Sequence, residues 1–71
     1  MSINRIKITL AEKGKTNKWL AKQLSKSEVT VSRWCTNEVQ PSLETLLDIA
    51  SVLGVNVQDL ITPTEKNDDA N

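Results

Sequence analysis

Apolar residues along this 71-residue chain recur at spacings of three and four, with polar residues between them. That period lines up one apolar stripe on a helix, and it predicts an all-α protein. Nowhere does a β-branched run alternate with polar residues over the length of a strand. Ile3, Ile6 and Leu10 make the first stripe. With Ser2 as N-cap and Gly14 just past the end, they predict a helix over about 3–13. Thr16 opens a second helix (17–24) that carries Leu20, Ala21 and Leu24. Ser25-Lys26-Ser27 interrupts it, and Ser27 caps a third (28–36) with Val31 and Trp34. Asn37 to Pro41 reads as a loop, because the residue before a proline avoids helical geometry. Ser42 and Glu44 then start a fourth helix (42–53), whose Leu43, Leu46, Leu47, Ile49, Ala50 and Leu53 form a wide apolar face. Gly54 ends it, and Asn56 leads a last short helix with Val57, Leu60 and Ile61 that stops before Pro63. The expected architecture is five short helices around one core (residues 1–62), followed by a polar tail, 63–71, expected to be disordered.

Composition narrows the chemistry further. One Cys and no His exclude a disulfide framework and a zinc finger, and they remove the commonest general base. No carboxylate pair or nucleophile is placed beside a base, so neither an enzyme nor a cofactor or metal site is expected. No apolar stretch approaches the roughly 18 residues of a membrane span, and the start lacks a signal-peptide run. The expectation is a cytoplasmic protein away from membranes. The formal net charge of zero hides a division: residues 1–36 hold eight Lys and Arg against two Glu, and residues 37–71 hold one Lys against seven Asp and Glu. A net +6 half beside a net −6 half suits a surface that faces a polyanion at one end. Plain solvated charge is the other reading.

Thr16 to Thr36 (TNKWLAKQLSKSEVTVSRWCT) is the informative stretch. Two short helices joined by a tight turn can cross steeply only where the contact is uncluttered. Ala21 supplies the small side chain, and Leu20, Leu24, Val31 and Trp34 supply a buried wedge. The outer face of the third helix is then Glu28, Val29, Thr30, Ser32 and Arg33. Such a mixture suits a helix in the major groove: Arg can hold guanine through two hydrogen bonds, a carboxylate can accept from cytosine, and a small apolar group can meet a thymine methyl. Glu28 could equally serve the helix dipole, and Cys35 reads as a buried or half-buried thiol without a redox partner.

These residues resemble the helix-turn-helix proteins of the Cro/phage-repressor type, the XRE family. The resemblance runs from about Asn4 to Ile61 and rests on Leu20, Ala21, Leu24, Val31 and Trp34. Downstream it rests on Pro41 to Leu47 (PSLETLL) and on Leu53-Gly54-Val55 followed by Asp59-Leu60. It implies a compact five-helix, lambda-repressor-like domain whose third helix reads DNA. By position it implies base-reading roles for Glu28, Val29, Ser32 and Arg33, beside Thr30 on the same face, and phosphate contacts for Asn17, Thr36 and Asn37. Lys15, Lys18 and Lys26 are further phosphate partners by charge and placement. Three positions depart from the pattern. Ser25 stands where the turn usually has Gly, Glu28 where Gln or Arg is commoner, and Trp19 at a normally polar position, where it is expected to pack with Ile8 as an extension of the core, an exposed partner patch being the other reading. The implied function is sequence-specific binding of double-stranded DNA by a transcriptional regulator. It would be a repressor, acting as a homodimer on a palindromic operator, bacterial or phage-encoded and nucleoid-associated. An antitoxin or protein-binding module of the same fold, gripping a basic partner protein with its acidic C-terminal half, is the alternative. Val55, Val57, Leu60 and Ile61 serve as core or as a dimer face.

Overall fold

Hydroxyl side chains start three of the four α-helices in the computed structural model, which describes residues 2–63. Thr16 Oγ1 accepts from the Trp19 N–H at 3.0 Å, Ser27 Oγ from Thr30 at 3.1 Å and Ser42 Oγ from Thr45 at 3.1 Å. Each satisfies one of the amide donors that a helix start leaves without an internal partner. They open α2 (Asn17–Leu24), α3 (Glu28–Cys35) and α4 (Leu43–Leu53), all three at the expected places. Gly54 closes α4 in the left-handed region at φ 69°, where the absence of a Cβ removes the strain.

The first helix differs from expectation. α1 spans Ile6–Glu12, and Ser2 does not cap it. Asn4 performs that task instead, its Oδ1 accepting from the Ile6 N–H at 3.1 Å. Residues 3–5 are drawn out of the helix by the other end of the chain: Arg5 N–H donates to Leu60 O and Thr62 N–H to Ile3 O, each at 2.8 Å. Asn4 and Ile61 thereby form an isolated antiparallel bridge. The fifth helix is also corrected, to a single 3-10 turn, Val57–Leu60, in which Asp59 Oδ2 accepts from the Asn56 N–H at 3.1 Å. The expected tail lies outside the described residues beyond Pro63.

Every element contributes to one core: Ile6 and Leu10 from α1, Leu20 and Ala21 from α2, Val31, Trp34 and Cys35 from α3, Ile49, Ala50 and Leu53 from α4, and Leu60 from the 3-10 turn. Leu24, Leu46, Val55 and Val57 pack against its edge, so the set left open between core and dimer face belongs mainly to the core, with Ile61 exposed. Two expectations fail here. Leu43 (68% exposed) and Leu47 (51%) point away from the core, because α4 has more apolar residues than its neighbours can cover. Trp19 does extend the core, whereas Ile8 stays exposed at 49%.

Candidate nucleic-acid interface

Ser25 sets the geometry of the turn. It adopts the left-handed conformation (φ 57°, ψ 42°) that Gly would adopt without a steric cost. The chain reverses there, with Lys26 N–H donating to Ala21 O at 2.9 Å, and three residues separate α2 from α3. Leu20 and Ala21 of α2 and Val31 and Trp34 of α3 are all buried, which fixes the rotation of α3 about its axis. Glu28, Val29, Ser32 and Arg33 are consequently exposed, and Val29 is an apolar side chain left 60% open to solvent. Thr30 is half-buried, its hydroxyl 2.9 Å from that of Ser27, so it braces the start of the helix.

Asn17, Glu28, Val29, Ser32 and Arg33 line a single shallow groove together with Glu38. Five of the expected site residues thus converge on one surface, from two helices. Glu38 is the member that sequence reasoning missed. It reaches the groove because Asn37, at φ 63°, turns the chain back so that the Glu38 N–H donates to Arg33 O at 3.0 Å. The signal was the Asn after a helix end, a residue type that tolerates positive φ.

Asn17, half-buried at the first position of α2, has a partner that the sequence did not disclose. The Cys35 thiol donates to Asn17 Oδ1 at 3.3 Å. Burial pushes the Cys35 thiol above its ordinary pKa, with the Lys7 ammonium opposing in part, so it is a protonated donor at neutral pH.

The other expected phosphate contacts are scattered. Thr36 is exposed and its Oγ1 donates to Arg33 O at 3.2 Å. The Asn37 side chain is occupied within the fold: Oδ1 accepts from Ile3 and Asn4 N–H at 2.8 Å each, and Nδ2 donates to Asn4 O at 3.3 Å. Lys15 lies over the Trp19 ring, its Nζ 4.8 Å from the centroid, a cation–π contact that holds the ammonium near the start of α2. Lys18 is exposed on the first turn of α2. Lys26 lines a different groove, together with Glu44 and Asp48. Among the described residues there is no group of three or more His, Cys, Asp or Glu that could hold a metal ion, and no helix is long and apolar enough to cross a membrane.

Such a surface offers donors, acceptors and one apolar contact on a narrow convex helix, with hydrogen-bonding side chains of the preceding helix beside it. A family profile of the Cro/C1-type helix-turn-helix DNA-binding domain matches residues 5–66. Among solved structures, a candidate DNA-binding protein from Bacteroides fragilis is similar at a TM-score of 0.84 and 55% identity, over 87% of this chain and 100% of that one. No curated protein matches the chain.

Proposed function

The chain belongs to the Cro/C1-type helix-turn-helix DNA-binding domains, and from that premise we propose that α3 enters the major groove and that the protein is a sequence-specific transcriptional repressor. One observation carries the reading: Asn17, Glu28, Val29, Ser32 and Arg33 share one groove while the apolar side of the same helix is buried. Arg33 is assigned to guanine through paired hydrogen bonds, Val29 to a thymine methyl, Ser32 to either edge and Glu28 to a cytosine amine. Thr30 supports that face from the first turn of α3. Asn17, Lys15, Lys18 and Thr36 are assigned to the phosphate backbone, with Lys26 at the margin. Asn37 contributes through the turn it shapes, since its amide is already bonded within the fold. The protein binds as a homodimer, with two copies of α3 about 34 Å apart on half-sites about one helical turn apart.

Selection of the purified protein on random duplex DNA at near-physiological salt tests this. An enriched palindrome with half-sites about ten base pairs apart is the expected result. A folded chain that enriches no sequence overturns it and directs attention to a protein partner for the acidic half.

A further inference from the structure

Asn17 and Cys35 stand 18 residues apart in the chain and meet across the packed α2 and α3 helices. Asn17 lines the groove with Glu28, Val29 and Arg33, while Cys35, on the last turn of α3, is only 7% exposed. An asparagine amide has an accepting end and a donating end, and rotation by half a turn exchanges them. With Oδ1 taken by the thiol at 3.3 Å, the accepting end is held toward the core and the Nδ2 hydrogens are left for the groove. The flipped orientation sets N–H donors against a sulfur that accepts poorly, so it loses the contact. No other side chain is hydrogen-bonded to the Asn17 amide among the described residues, and the thiol is what decides between the two orientations.

We propose that Cys35 is a positioning residue for the backbone contact of Asn17: its S–H, fixed in the core, orients the Asn17 amide to donate through Nδ2 to a phosphate oxygen of duplex DNA. The inference rests on the DNA-binding reading above. A phosphate contact carries no sequence information, so the role has a distinct signature. Loss of the thiol weakens binding by the same factor on every duplex and leaves sequence preference alone. A packing defect that tilted α3 would change the preference itself.

The test measures affinity of the full chain, by fluorescence anisotropy, for the selected duplex and for a duplex of unrelated sequence. Cys35→Ala and Cys35→Val bracket the thiol in size and remove its donor. Each is expected to weaken both duplexes by about three- to tenfold, the worth of one oriented hydrogen bond. Cys35→Ser keeps a donor and restores binding. In an Asn17→Ala background, Cys35→Ala brings no further loss. Without DNA, 15N relaxation of the Asn17 side-chain amide shows greater mobility in Cys35→Ala than in wild type. Losses that add in the double variant overturn the proposal, as does an altered sequence preference or unchanged affinity. Wild-type protein that binds neither duplex overturns the DNA reading and this inference together, whereas binding with additive losses overturns this inference alone.

Discussion

Ser25 holds a left-handed backbone at φ 57°, where a Cβ crowds the neighbouring carbonyl. Ser25→Gly is expected to stabilise the fold by about 0.5–1 kcal/mol, the relief of that strain less the entropy Gly adds to the unfolded chain. A urea titration followed by helical circular dichroism reads it, and a lower midpoint shows that the turn carries no strain. Cys35 makes a prediction in pH. Its folded pKa is raised, so below the ordinary thiol value of 9.0 both folded and unfolded chains hold the proton and the stability is fully present. Above 9.0 the unfolded chain ionises first, and stability falls until the raised folded value is passed. Melting temperatures of wild type and Cys35→Ala are therefore expected to converge between neutral pH and pH of about 10, and parallel curves contradict it. The strain at Ser25 could be anticipated from residue type and place. The Cys35 partner could not, because a contact across two helices depends on their crossing and leaves no local pattern.

Elements separate along the same line. Thr16, Ser27 and Ser42 announce their helices because a cap is a local bond, made within three residues. The start of α1 departs from the apolar period for the opposite reason. Ile3 continues the apolar period, yet its segment pairs with Leu60 to Thr62 at the far end of the fold. Asn4 anchors that segment, buried, with Nδ2 donating to Trp34 O at 2.8 Å and to Gln40 Oε1 at 2.7 Å. Asn4→Ala strips both contacts and the cap on Ile6, leaving the buried Ile6 N–H without a partner and Trp34 O with the Asn37 N–H alone, at a cost of about 2–3 kcal/mol. For a domain of this size that corresponds to a melting temperature roughly 10 °C lower or more. Melting followed by circular dichroism checks it, and a shift of a degree or two shows the arm to be dispensable. α4 teaches a further limit: periodicity marked Leu43 and Leu47 as inward, but the width of an apolar face exceeds what the neighbouring helices reach.

Charge belongs to the whole molecule. The division into a basic half (residues 1–36) and an acidic half (37–71) does not map cleanly onto two faces of the fold. Glu38 from the acidic half lines the α3 groove with Arg33, and Lys26 from the basic half lines another groove with Glu44 and Asp48. The fold mixes what the linear charge plot separates, because the turn at Asn37 returns the chain to the end of α3. Long-range attraction to DNA and local readout therefore respond to different substitutions. Arg33→Ala is expected to cost about 1–3 kcal/mol on the preferred sequence and to relax the preference at one base pair. Lys18→Ala removes one exposed cation without a base contact, so affinity falls on all sequences and the slope of log affinity against log salt shrinks by about one. Glu38→Gln acts in the other direction. With a carboxylate taken away from a polyanion's side of the molecule, binding to any duplex tightens by about two- to fivefold at low salt, and the gain fades as the Debye length shortens. Affinities of the three variants at several salt concentrations, on preferred and unrelated duplexes, separate these effects. A Glu38→Gln gain that persists undiminished at high salt means the carboxylate acts by direct contact with DNA, and no gain at any salt places α3 in a pose that keeps Glu38 clear of the phosphates.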